Sequence, residues 1–178
     1  LVTGSNWASG RRTSRPSVAV PSSLRFLAIA NFLAVFGQSL LGGLVRHLGL
    51  ALHEHLGGAI LATLLSVALI VSSWKSGHAW LRSAAIGLMA VLLVQLVLGA
   101  GAWVTRFGFP STGYVAIQQA PEQILFRTAH AVTAMFVLMM SVQMAARVLR
   151  LNWLGGGRFE RADSLAVRSA TLAGGAAR

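Results

Sequence analysis

Four long apolar stretches dominate this chain and limit what it can fold into. Each is close to the ~20 residues that an α-helix needs to cross a bilayer. Only 11% of the residues are charged, whereas about a quarter are charged in a typical soluble domain. We therefore predict an all-α membrane protein whose four transmembrane helices span about residues 26–45, 53–74, 79–104 and 124–146.

Polar segments flank this apolar region at both ends of the chain. Residues 1–23 are rich in serine, glycine and proline, and residues 151–178 are rich in arginine and glycine. We predict a flexible N-terminal segment and a disordered basic C-terminal tail on either side of a transmembrane domain at 24–150. The chain begins at Leu1 and carries no recognisable signal peptide, which leaves open that it is a fragment of a longer protein.

The distribution of basic residues predicts the orientation in the membrane. Arg46, Arg106 and Arg127 fall on one side of the spans, and the other twelve of the 15 Lys and Arg residues fall on the opposite side. The positive-inside rule then places both termini in the cytoplasm, and we expect a bacterial inner membrane. The net charge of +11 does not indicate nucleic-acid binding, because the basic residues flank apolar runs.

Two histidines occupy equivalent places in the second and fourth spans. His55 is followed eleven residues later by a Ser-Val dipeptide at Ser66, and His130 is followed at the same distance by Ser-Val at Ser141. Each histidine also lies twenty residues before a basic residue, which corresponds to roughly 30 Å of helix. Both imidazoles are therefore predicted at matching depth, toward the outer face.

The first and third spans repeat a second pattern. Gln38 begins a Gln-x-x-Leu-Gly sequence, and Gln95 begins the same sequence in the third span. An arginine precedes each glutamine by thirteen residues. Together with the matched histidines, this predicts two duplicated helical hairpins that pack as a four-helix bundle.

Two inward-facing histidines narrow the chemistry of the predicted site. Ionisable groups inside a membrane are costly and usually functional, although a single interfacial histidine often only binds water or headgroups. Zinc needs three or four ligands, and a proton path usually needs several acidic or basic groups. The chain has no cysteine and no acidic residue in mid-membrane. A heme needs only two axial imidazoles across an apolar slot, so His55 and His130 are predicted to ligate heme iron.

Other polar residues lie near the predicted heme edge. Arg46 and Arg127 are candidates to pair with the heme propionates, and Arg106 serves either that role or membrane anchoring. Gln38 and Gln95 are predicted to hydrogen-bond either across the bundle or toward the heme. Three further histidines are expected to have only local roles, namely His47, His53 and His78.

Several motifs resemble those of the heme A synthase family, which acts in cytochrome oxidase assembly. The stretch from Gln38 to His47 (Gln-Ser-Leu-Leu-Gly-Gly-Leu-Val-Arg-His) is similar to the first-helix signature of each half in that family. The His-Leu-Gly-Gly-Ala sequence at His55, the Gln-x-x-Leu-Gly-Ala sequence at Gln95 and the position of His130 are similar as well. The resemblance covers about residues 33–148.

The resemblance implies a fold, an activity and partners. Members of this family have two similar four-helix halves and oxidise a methyl group of heme O to the formyl group of heme A. One half holds the substrate, and the other holds a bis-histidine heme b that transfers electrons. The resemblance also implies a missing N-terminal half, membrane lipid, and oxidase-assembly or heme O synthase partners.

One position distinguishes the two halves. The substrate half of the family carries a catalytic glutamate three residues before the second-helix histidine, and this chain has Leu52 there. Glu54 is adjacent to His55 and so lies on a different helix face. The sequence therefore resembles the heme b half. Two alternatives are a stand-alone membrane cytochrome b that relays electrons and a helical membrane protein without a cofactor.

Overall fold

A computed structural model of the chain describes the backbone of residues 21–175 and the side chains of residues 21–150. The backbone forms four α-helices: α1 (Ser22–Leu48), α2 (Leu52–Lys75), α3 (Ala79–Phe107) and α4 (Pro121–Gly175). A short 3₁₀ helix, Pro110–Thr112, lies between α3 and α4. No β-strand occurs in the described residues, which contain only an isolated bridge between Phe109 and Tyr114.

Each of the four helices contains a segment that is long and apolar enough to cross a membrane. These segments are the whole of α1, α2 and α3 and the part Pro121–Arg150 of α4. The predicted all-α architecture with four helices of membrane-spanning length is thus confirmed. Val20–Arg150 form one compact unit that contains all four segments.

The helix ends extend the predicted spans by a few residues. Helix α1 begins directly after Pro21, and its C-terminal end is closed by Gly49 in a left-handed conformation. The first connection is correspondingly short, and Ala51 adopts a positive φ of 62° there. Helix α4 continues past Arg150 to Gly175, through the segment for which the sequence predicts a disordered tail. The predicted N-terminal segment lies outside the described residues except for 21–23.

Helices α1 and α3 bury the same face. Four buried residues in each helix recur at intervals of four, three and four, as in a helix that packs along one stripe. Adding 57 to each of four buried positions in α1 gives a buried position in α3. The four pairs are Leu24 and Leu81, Ala28 and Ala85, Asn31 and Leu88, and Val35 and Leu92. In only one of these four pairs of equivalent positions, Asn31 and Leu88, is one residue polar and the other apolar.

Helices α2 and α4 also match in burial, with an offset of 75 residues. The matched buried pairs are Ala62 and Val137, Ser66 and Ser141, Leu69 and Met144, and Ser73 and Val148. The same offset relates His55 to His130. The two helices therefore turn equivalent faces toward the interior of the bundle.

Most of the apolar surface of the helices faces outward. In the most apolar 18-residue stretch of each helix, only 17% to 28% of the residues are buried inside the structure. Large side chains such as Phe26, Leu40, Leu64 and Leu93 are more than half exposed. An apolar exterior of this extent is suited to lipid, in which exposed apolar side chains carry no solvation cost.

Candidate functional site

The two predicted histidines face each other inside the bundle. The ring centres of His55 and His130 are 6.4 Å apart, and the ring planes are nearly perpendicular, at 88°. His55 lies in the first turn of α2, and His130 lies in the third turn of α4. The structure thus brings together two imidazoles that are 75 residues apart in sequence.

Gln38 holds His55 from the neighbouring helix. Its side-chain nitrogen Nε2 lies 2.9 Å from Nδ1 of His55 and donates a hydrogen bond to the His55 carbonyl oxygen, also at 2.9 Å. Because an amide nitrogen can only donate, Nδ1 of His55 accepts in this arrangement. The Gln38 oxygen Oε1 is buried against Gly58 and has no hydrogen-bond partner.

Gln95 holds His130 in a related but different way. Nδ1 of His130 donates to the backbone carbonyl of Gln95 at 3.2 Å, and Nε2 lies 3.4 Å from the Gln95 side-chain nitrogen. This contact fixes the tautomer in which Nε2 carries the lone pair, as in most metal-binding histidines. Oε1 of Gln95 is buried and without a partner, as is Oε1 of Gln38.

A glycine lies against each imidazole. A Cβ atom at Gly42 would be 3.1 Å from Cε1 of His55, and one at Gly99 would be 3.0 Å from Cε1 of His130. Such distances are shorter than ordinary van der Waals contacts between carbon atoms. The absence of a side chain at both positions therefore allows each imidazole to pack directly on the opposing helix backbone.

The spacing of the imidazoles fits two axial ligands of one heme iron. A metal–imidazole bond of about 2 Å places the ring centre about 3 Å from the metal, so two ligands on opposite sides lie about 6 Å apart. The tautomer of His130 leaves the lone pair on Nε2, but the Gln95 amide donates to that nitrogen and has to move before it can bind a metal. Coordination by Nε2 of His55 requires the Gln38 amide to turn, so that its unpartnered oxygen accepts a hydrogen bond from the Nδ1–H group. With these two amide movements, the distance between the imidazoles fits a bis-histidine heme.

Two of the predicted arginines converge at one cavity. Arg46 near the end of α1 and Arg127 near the start of α4 line a space of about 180 Å³ together with Ile124 and Thr128. Arg127 is one turn from His130, so this cavity lies close to the histidine pair along α4. The structure places Arg106 elsewhere, in a cavity of about 530 Å³ lined by Phe107 and residues of the loop between α3 and α4.

A buried polar cluster deeper in the bundle was missed by the sequence patterns. The Asn31 side chain is fully buried, donates to Ser141 Oγ at 3.2 Å and accepts from Ser66 Oγ at 2.7 Å. The matched Ser-Val dipeptides identified both serines as equivalent, but nothing in the sequence linked them to Asn31. An isolated asparagine in an apolar span was the one available signal.

A second residue that the sequence did not single out anchors the loop between α3 and α4. Gln123 is buried at the start of α4, where its Oε1 accepts from the backbone nitrogen of Gln119 and its Nε2 donates to the carbonyl of Thr105. These bonds connect the end of α3 to residues 108–120. The loop is therefore tied to the C-terminal end of α3 and the N-terminal end of α4.

Comparison of the chain with protein-family models, with curated proteins and with solved structures finds no match. Within the part of the chain that the structure describes, no group of three or more His, Asp or Glu side chains is placed to hold a metal ion. The geometry of the histidine pair therefore carries the functional argument.

Proposed function

We propose that this chain is the heme-binding half of a heme A synthase-like membrane oxidoreductase. In this proposal His55 and His130 are the axial ligands of a heme b that transfers electrons. The observation that carries the proposal is the pair of inward-facing imidazoles with ring centres 6.4 Å apart, on helices that bury equivalent faces. The reaction served is the oxidation of a methyl group of heme O to the formyl group of heme A.

The matched burial and the matched contacts of the two helix pairs support this proposal. Buried positions of α1 recur in α3 and those of α2 recur in α4, and in both hairpins a glutamine and a glycine of one helix contact the histidine of the next. We infer that the two hairpins arose by duplication and pack around a pseudo-two-fold axis. Such an axis places the heme iron between equivalent ligands.

The basic residues near the outer end of the bundle support the same proposal. Heme carries two anionic propionates, and arginine binds carboxylates well because its guanidinium group presents parallel N–H donors. Arg46 and Arg127 line one cavity and are the proposed partners, with Gln38 and Gln95 positioning the imidazoles. In this proposal the heme lies toward the outer face of the membrane, and both termini are cytoplasmic.

A heme held by His55 and His130 would supply a one-electron carrier. The residues of this chain then have three tasks: they ligate the iron, orient the imidazoles and surround the ring with apolar side chains. Leu52 stands where the substrate half of the family carries its glutamate, so the oxidation itself is assigned to a partner half. Heme O synthase or oxidase-assembly proteins are the proposed wider partners.

The same leucine favours a second candidate function. A chain that lacks the glutamate at position 52 is also suited to act alone as a membrane cytochrome b, which passes electrons between partners. Both candidates require the bis-histidine heme. They differ in whether the chain works with a second four-helix half.

Heme binding is tested first by the absorption spectrum of the purified chain. We expect Soret and α bands in the wild type and at least a tenfold loss of bound heme in His55→Ala and His130→Ala. His53→Ala is the matched control, because His53 is exposed and lies two residues from His55 on the same helix. A wild-type chain without these bands, or bands that persist in both ligand variants, would contradict the proposal.

The two candidate functions are then separated by an activity measurement. The chain is co-expressed with a four-helix half that contains the Glu-x-x-His motif, and conversion of heme O to heme A is followed by chromatography. Conversion that depends on His55 and His130 supports the synthase assignment. Heme binding without any conversion supports the electron-relay assignment.

A further inference from the structure

We infer that Asn31 is a positioning residue that sets the register of α2 against α4, and thereby the spacing of His55 and His130. This inference rests on the proposed function for its spectroscopic consequences. Its structural basis is the contact of one side chain with a serine from each histidine-bearing helix.

The geometry makes Asn31 a bridge between equivalent points. Ser66 lies eleven residues after His55, and Ser141 lies eleven residues after His130, which is about 16 Å along each helix. A slide of α2 along α4 moves one serine away from Asn31 and shifts its histidine by the same distance. The two hydrogen bonds therefore oppose any such slide.

Burial makes the loss of these bonds costly for the Asn31 amide. Asn31, Ser66 and Ser141 are each fully buried, so an amide that loses a serine partner is left without water. A serine hydroxyl can instead donate to a carbonyl of its own helix, as Ser73 does to Leu69. Buried polar residues are known to fix helix register in coiled coils in this way. The bridge occurs on one side of the bundle only, because the position in α3 that matches Asn31 is Leu88.

One arm of the test is independent of heme. The chain contains no cysteine, so single cysteines can be introduced and spin-labelled at exposed positions near the outer ends of α2 and α4, as His53→Cys and Thr128→Cys. We expect Asn31→Leu to shift and broaden the distance distribution between the labels. Ser141→Ala should give a smaller shift, because the bond to Ser66 remains.

The second arm reads the heme. We expect Asn31→Leu to lower the bound heme fraction several-fold and to shift the low-spin electron paramagnetic resonance signal, which depends on the angle between the imidazole planes. Asn31→Asp keeps the acceptor for Ser66 and should restore part of the wild-type signal. If Asn31→Leu fails to fold, Ser66→Ala and Ser141→Ala provide the same comparison, since each removes one bond.

Ser73→Ala is the matched control, because Ser73 is also buried in α2 but donates only to the Leu69 carbonyl of its own helix. It should leave both readouts unchanged. Wild-type distances and resonance signals in Asn31→Leu and in both serine variants would overturn the inference. A wild-type chain without a heme signal refutes the proposed function, whereas the distance measurements still decide the role of Asn31.

Discussion

At the scale of single residues, the two glutamines make the two proposed ligands chemically unequal. Nδ1 of His130 already donates to a backbone carbonyl, whereas Nδ1 of His55 accepts from the Gln38 amide. A ligating histidine becomes more basic when its second nitrogen donates to a strong acceptor. We therefore expect the side chain of Gln38 to tune the electronic properties of the proposed heme site.

Replacing Gln38 with glutamate should lower the midpoint potential of the heme. The carboxylate accepts a hydrogen bond from the Nδ1–H group of His55. The imidazole then donates more electron density to ferric iron. We expect a shift of tens of mV, where about 59 mV corresponds to a tenfold change for one electron. Redox titration of Gln38→Glu beside Gln38→Leu measures this shift, and an unchanged or higher potential in the glutamate variant contradicts the role of Gln38.

The glycines beside the imidazoles give a second prediction at the residue scale. Gly42→Ala and Gly99→Ala place a methyl group about 3 Å from Cε1 of the adjacent histidine, so the imidazole or the helix must move. Overpacking of this kind costs roughly 1–3 kcal/mol. We expect reduced heme occupancy and a lower thermal midpoint in both variants.

The control for this prediction is Gly43→Ala. A Cβ at Gly43 meets nothing within 4 Å, and alanine favours the helix by about 0.5–1 kcal/mol. The control should therefore be neutral or slightly stabilising. The same heme occupancy and thermal midpoint in Gly43→Ala and Gly42→Ala would show that the contact between Gly42 and His55 does not contribute to stability.

At the scale of helices and loops, the hydrogen bonds of Gln123 hold the loop between α3 and α4 (residues 108–120) against the helix ends. Removing its side chain leaves the Thr105 carbonyl and the Gln119 amide without their partner, at a cost of roughly 1–3 kcal/mol. We expect Gln123→Ala to speed cleavage of residues 108–120 by a protease added to the outer side. The exposed Gln118 provides the control, because Gln118→Ala removes a bond from a side chain that already faces solvent.

The helices also show what the sequence can and cannot predict. Long apolar runs located all four helices, because a bilayer requires a minimum length of continuous apolar helix. The runs did not give the helix ends, since α1 continues through polar residues to Leu48 until Gly49 closes it. Hydropathy measures burial in lipid, whereas the ends depend on local backbone conformation.

The same limit applies to the candidate site. Matched spacing predicted that His55 and His130 lie together, because equal depth on equivalent helices leaves few other arrangements. The orientation of the Gln38 amide depends on the free space at Gly58, and no spacing pattern records it. Asn31 was missed for a related reason, since its two partners lie 35 and 110 residues away and no matching residue occurs in α3.

At the scale of the whole molecule, the distribution of basic residues predicts which side each loop faces. A cysteine at Thr112 in the loop between α3 and α4 should react with an impermeant thiol reagent added outside intact cells. A cysteine at Ser76, between α2 and α3, should react only after the cells are opened. Because the chain has no native cysteine, the wild-type protein is the unlabelled control. The opposite labelling pattern would contradict the predicted orientation with both termini in the cytoplasm.

Asn31 in α1 has Leu88 as its counterpart in α3, and this difference bears on how the first hairpin (α1 and α2) associates with the second hairpin (α3 and α4). A bundle made of two second hairpins would contain two Leu88 side chains and no Asn31. Both Ser141 hydroxyls would then lack an amide partner. Two copies of the first would bring Asn31 twice to a space that now holds one such side chain. One first hairpin and one second hairpin provide one amide for two serines. We therefore expect Asn31 to favour the association of one helix pair of each kind over the association of two copies of the same pair.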